Sequence, residues 1–122
     1  MKRDLDLCRV ILIELAEKEQ PVGWIDLALP GYSAEAVSYH VRLLAEAGLI
    51  EAQDLTTHSG ALWRPKRVTW AGHEFLDAAK NDGVWRKAKS FVVEKTGTLT
   101  LELLKLGLSE VTKGLLSGKI TL

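Results

Sequence analysis

Residues 33–50 read Ser33-Ala-Glu-Ala-Val-Ser-Tyr-His-Val-Arg-Leu-Leu-Ala-Glu-Ala-Gly-Leu-Ile50, and this stretch decides the fold. Ser33 is a natural N-cap for a helix running to about Ala47, and Gly48 supplies its C-terminal stop. On a helical wheel Ala36, Val37, His40, Val41, Leu43, Leu44 and Ala47 gather on an apolar side. Glu35, Ser38, Tyr39, Arg42 and Glu46 fall opposite. Leu49–Leu55 then reads as a strand, His58-Ser59-Gly60 as a turn, and Arg64–Trp70 as the returning strand. Pro65 puts that second strand at a sheet edge or moves its start to Lys66.

Working outward, Asp4 caps a first helix in which Leu5, Cys8, Leu12, Leu15 and Ala16 recur at helical spacing. That helix is expected to end near Lys18–Gln20, with Pro21 stopping it. Pro21–Leu29 has room for a short extended piece and a short helix over Trp24–Leu29, closed by the turn signal Pro30-Gly31. Beyond the hairpin, Ala71–Lys80 reads as a short helix. Asn81-Asp82-Gly83 breaks the chain before a helix over Val84–Lys95, and Thr96-Gly97 breaks it before a leucine-rich helix from about Thr98 to Leu116. The fold class that follows is mainly α with a small β-hairpin: a winged helix-turn-helix with additional C-terminal helices. Residues 1–81 form the winged helix-turn-helix domain in this reading. Residues 82–122 form a helical extension that packs on it or makes a dimer interface.

Two stretches carry a family resemblance. The first, ending His40-x-x-x-Leu44-x-x-x-Gly48-Leu49-Ile50, resembles the recognition helix and first wing strand of bacterial winged-helix repressors. The second, Arg67-Val-Thr-Trp-Ala-Gly-His-Glu-Phe-Leu76, looks like their second wing strand and following helix. Together with the opening Met-Lys-Arg-Asp-Leu-Asp-Leu, these blocks also resemble one uncharacterised family, a domain of unknown function common in phages and prophages. That resemblance covers most of the chain up to Gly97. It implies a phage or mobile-element origin and brings no established activity.

Composition narrows the function classes. The 122 residues are 47% hydrophobic and 26% charged, with 16 basic and 16 acidic side chains, so the net charge is zero. The chain therefore lacks the overall basic charge that supplies most non-specific affinity for nucleic acid, and any DNA contact rests on local charge. Cys8 stands alone and cannot form an internal disulfide; its apolar helical setting points to a buried thiol. Charges at Asp6, Arg9 and Glu14 spoil a signal-peptide core, and no apolar run reaches membrane-spanning length, so a cytoplasmic protein is expected. His58 and His73 lack partners at metal-ligand spacing, and His40 sits in the middle of an apolar face as a satisfied, half-buried histidine. Phosphate-binding glycine motifs and a nucleophile elbow are absent. No enzyme, metal or cofactor is expected.

In a winged helix the polar side of the second motif helix enters the major groove. Arg42 is then placed to read guanine, and Ser38 and Tyr39 to hold phosphates or base edges. Glu35 and Glu46 set two acids against that one base. In the hairpin, Arg64, Lys66 and Arg67 give a local charge of +3 without an acid from His58 to Arg67. Such residues contact phosphates or merely solubilise an exposed edge. Arg86, Lys87 and Lys89 form a second basic cluster, which extends a phosphate-contact surface or is a solvated helix face. Trp24, Trp70 and Trp85 are expected in the core. Trp63, in the hairpin, either anchors a protein partner or packs back on the hairpin base.

Leu101, Leu104, Leu108, Val111 and Leu115 form one stripe on the last helix, bordered by Gly107 and Gly114. Val10 and Ile13 are apolar on the polar side of the first helix. Both features suggest a homodimer interface, with packing of the last helix on Val10 and Ile13 of the same chain as the alternative. The leading functional expectation is a DNA-binding regulator of a phage or prophage operon. A winged-helix module that binds or inhibits a host or phage protein is the alternative, and a structural subunit is a third. They separate on the potential of the groove-facing side. A continuous positive band from Arg42 through Arg64–Arg67 favours double-stranded DNA, and a patch broken by Glu35 and Glu46 with Trp63 exposed favours protein.

Overall fold

A computed structural model describes residues 1–18 and 20–122. It is mainly helical, with five helices and one two-stranded antiparallel hairpin among those residues: α1 (Leu5–Lys18), α2 (Ala34–Glu46), β1 (Ile50–Asp54), β2 (Trp63–Val68), α3 (Trp70–Ala79), α4 (Asp82–Thr96) and α5 (Leu101–Leu116). The chain divides into two compact units, Met1–Leu76 and Asp77–Leu122, with the division inside α3.

The caps explain where the helices begin. In the first unit the Asp4 carboxylate accepts from the backbone N–H groups of Asp6 and Leu7 at 2.9 and 3.2 Å, starting α1. Ser33 Oγ accepts from Ala36 N–H at 3.1 Å, starting α2. Each bond satisfies a donor that the first helical turn would otherwise leave open. After α2 the chain turns at Gly48, whose φ of 78° is a left-handed conformation that glycine adopts without steric cost.

The core of this unit is built from Leu7, Cys8, Ile11, Leu12 and Leu15 of α1, with Val37, His40, Val41 and Leu44 of α2 and Ile50 and Val68 of the hairpin. The α1 stripe therefore turns slightly from the expected one: Leu7 and Ile11 join its buried centre, while Leu5 and Ala16 are only half-buried. Helix α1 packs on α2 and on β2, and α2 packs on both strands.

The expected short helix over Trp24–Leu29 does not form. The segment is extended, and Ile25, Leu27 and Leu29 are buried while Trp24, Asp26 and Ala28 are exposed. That period of two belongs to a strand-like segment. Its anchor is Ile25 N–H, which donates to the Pro65 carbonyl at 2.8 Å. The same bond explains how Pro65 fits inside β2. Successive residues of a strand direct their backbone groups to alternate sides. Pro65 directs its carbonyl to residue 25, so its missing N–H lies on the side away from β1. The register shifts next to it, between Glu51 paired with Arg67 and Ala52 paired with Pro65, leaving Lys66 as the extra residue of a bulge.

The two sequence motifs lock together through Thr69. Its hydroxyl donates to the Gly48 carbonyl at 2.6 Å and accepts from Gly72 N–H at 3.0 Å, while its own N–H donates to the Leu49 carbonyl at 3.0 Å. Gly72 has no room for a side chain, because a Cβ there would strike the Leu49 carbonyl oxygen and lie 2.6 Å from Val68 Cγ1. Trp70 opens α3 instead of ending β2, and it is 83% exposed, not in the core. With its backbone committed to the first turn beside the Thr69 cap, its ring points to solvent.

In the second unit Asn81 caps α4 through Val84 N–H at 3.0 Å, and Thr100 caps α5 through Leu103 N–H at 3.1 Å. Helices α4 and α5 pack on each other. Gly107 permits the close approach, since a Cβ there would lie 2.6 Å from Val92 Cγ2 and 3.2 Å from the Ala88 carbonyl oxygen. Gly114 leaves space for Ile120, whose Cγ1 would be 2.6 Å from an added Cβ. The cost of roughly 1 kcal/mol per helical glycine is thus offset by contacts inside the chain.

Candidate functional site

Helix α2 and the hairpin bring most of the predicted DNA-contact residues into one region, but their side chains are already engaged. Ser38 is a correction. It is buried, and its Oγ accepts from the Trp63 backbone N–H at 2.8 Å, fixing α2 to the start of β2. The wheel assigned it to the polar side; tertiary packing of the hairpin covers that position. Tyr39 is half-buried, its ring edge-on to His40 at 5.4 Å between centroids. Arg42 is exposed and pairs with Glu46 one turn later at 3.0 Å. Asp54 also feels the Arg42 charge, but the hydrogen bonds from Thr56 are the main reason its carboxyl lies below the usual range.

Two of the three charges in the hairpin's local +3 are paired with acids, one from the extended segment and one from the opposite strand. Arg64 pairs with Asp26 of the extended segment at 2.9 Å, and its guanidinium lies over the Trp24 ring, 4.5 Å from the centroid. Arg67 pairs with Glu51, its cross-strand neighbour. Lys66, at the bulge, has no ion pair among the described residues. The first unit as a whole carries eight basic and eleven acidic residues, a net charge of −3, and the second carries eight and five, a net charge of +3.

Trp63 is half-buried, with its backbone committed to Ser38. The more accessible tryptophan on this side is Trp24, 42% exposed, which sequence reading assigned to the core. Periodicity alone offered a route to it, because Trp24 alternates with buried Ile25. Asp26 and Glu51 were not anticipated as partners. Glu51 is recoverable from the hairpin register, whereas Asp26 depends on the path of the extended segment. Trp85 is buried as expected.

His40 is 1% exposed and satisfied on both sides. Its Nδ1–H donates to the Ala36 carbonyl at 2.8 Å, and Nε2 accepts from Asp4 N–H at 2.8 Å. The ring is thus a neutral structural tie between α1 and α2. Cys8 is buried, and desolvation together with the nearby Asp4 charge pushes its thiol up to about 11. A thiol so rarely ionised is a poor nucleophile.

The expected dimer stripe is also corrected. Leu104, Leu108 and Val111 are fully buried within the chain, and Leu101 and Leu115 are half-buried. Helix α4 uses the face of α5 that a partner would have needed. Val10 and Ile13 of α1 are half-buried. No described helix is long and apolar enough to cross a membrane.

The fold defines a small, mainly helical protein with one hairpin and a charge-paired surface around it. The chain belongs to the family described as "Hypothetical protein (DUF2513)", whose model matches residues 2–98. It is 39% identical over 106 residues to an uncharacterized protein of Haemophilus influenzae, a match spanning 86% of this chain and 90% of that protein. No solved structure matches the chain.

Proposed function

We propose that this chain is a winged-helix protein-interaction module whose first unit engages a protein partner through α2, the hairpin and the Trp24 segment. The observation that carries the reading is the state of the arginines. Arg42, Arg64 and Arg67 are each paired with a carboxylate of their own unit, and that unit is net acidic. The basic band that favours DNA is thereby broken. Beside it, Trp24 presents an accessible indole held under a guanidinium, and Trp and Arg are the residues most enriched where protein partners bind tightly.

A second reading, a DNA-binding regulator of a phage or prophage operon, rests on the order helix, helix, hairpin and on the unpaired Lys66. Exposed ion pairs contribute only about 0–1 kcal/mol, so phosphates would displace them at small cost. The family resemblance is the support for a phage setting.

Fluorescence anisotropy with a duplex from the protein's own upstream region and an unrelated duplex, across a salt series, separates the two. Absence of binding to both at low salt, with a crosslinked partner lost in Trp24→Ala, supports the module. Tighter binding to the upstream duplex, weakened by salt and lost in Arg42→Ala with Lys66→Ala, returns the regulator reading and overturns the first.

A further inference from the structure

Two neighbouring cations of α4, Arg86 and Lys87, have no acidic partner among the described residues. Gly83, Arg86, Lys87 and Ser90 fall at i, i+3, i+4 and i+7, one face of the helix, and with Leu122 they line an open groove of about 390 Å³. Arg86 has no partner among the described residues, and Lys87 donates only to the Thr121 carbonyl, at 3.1 Å. Several other cations are paired. Lys105 and Lys113 pair with Glu102 and Glu110 along α5, and the three arginines of α2 and the hairpin are paired. Position 83 lacks a side chain, and a Cβ there would sit 3.2 Å from Leu122 Cδ1, so glycine keeps the groove open beside that leucine. No acidic side chain lines the groove; Asp82, one turn before Arg86, has contacts of its own.

We infer that this groove on the second unit binds a phosphate group, held by Arg86 and Lys87 with the Ser90 hydroxyl as a further donor. A guanidinium offers a fork matched to phosphate oxygens, and an ammonium one residue away adds a second charge-assisted bond. The net charge of +3 on this unit draws a dianion in the same direction. The phosphate belongs either to a small phosphorylated metabolite or to a nucleic-acid backbone. The inference does not depend on the partner assigned to the first unit.

The test is a titration of the full-length, ¹⁵N-labelled protein with inorganic phosphate, using chloride at matched ionic strength as the control. Saturable amide shifts confined to Gly83, Arg86, Lys87 and Ser90 are expected, weakened about tenfold or more in Arg86→Gln with Lys87→Gln. Both side chains are exposed, and the same spectra report that the variant stays folded. Absence of saturable shifts, or equal shifts in the variant, overturns the site. Adenosine monophosphate and a short DNA duplex then identify the source. Tighter binding of the monophosphate points to a metabolite, and tighter, salt-dependent binding of the duplex at the same residues points to a backbone.

Discussion

The Ser38 hydroxyl accepts a hydrogen bond from the backbone N–H of Trp63 at 2.8 Å, joining helix α2 to strand β2 across 25 residues of sequence. A group spent in this way supports the hairpin and is not available to a ligand. Ser38→Ala leaves the Trp63 N–H without its partner and should lower stability by about 1–2 kcal/mol. Urea unfolding measures this, and Tyr39→Ala on the same helix is the comparison. A fully stable Ser38→Ala protein would remove the structural role.

His40 is predicted to be a larger contributor. His40→Ala loses two hydrogen bonds and opens a cavity between α1 and α2, for a cost of about 2–4 kcal/mol. Because Asp4 N–H is one of the lost partners, amide exchange should quicken first at the start of α1. Uniform exchange across the first unit would contradict the proposed tie.

Cys8 gives a pH dependence of definite sign. Its thiol moves from 9.0 to about 11 on folding, so the folded state prefers the protonated form. The associated stability is complete below pH 9.0 and is lost as pH rises through about 11. The full span is worth about 3 kcal/mol. Cys8→Ala should flatten that alkaline decline in thermal melts. In the folded protein at pH 8 the thiol should resist a disulfide reagent that reacts at once in denaturant.

Gly72→Ala should be the most damaging of the small substitutions, because its Cβ meets the Leu49 carbonyl, a backbone atom that cannot swing aside. Overpacking of this kind costs about 1–3 kcal/mol. Gly107→Ala presses first on the Val92 side chain, which can adjust, so its loss in melting temperature should be smaller.

The local signals in the sequence were legible where the physics was local. Asp4, Ser33 and Asn81 announce helix starts through bonds to residues two or three positions away, Gly48 announces a helix end by its left-handed φ, and the hairpin announces itself by a turn between two extended stretches. What failed was tertiary. Ser38 looked polar on a wheel because the wheel does not know that β2 crosses over it. Trp24–Leu29 has both a helix-permissive composition and the alternation of an extended segment, and the bond from Ile25 to Pro65 selects the second. The +3 lies in one stretch of sequence, but charge is a property of a surface, and Asp26 from the extended segment and Glu51 from the opposite strand meet Arg64 and Arg67 there. The leucine stripe of α5 was likewise real, yet periodicity states only that a face is covered, not by which helix.

Pro65 has one further effect. At that position β2 turns toward the extended segment a nitrogen with no hydrogen and a carbonyl already taken by Ile25. A strand from another molecule approaching along this edge finds neither donor nor acceptor free there. The residue that complicates the hairpin's register therefore also guards the chain against edge-to-edge polymerisation into fibrils.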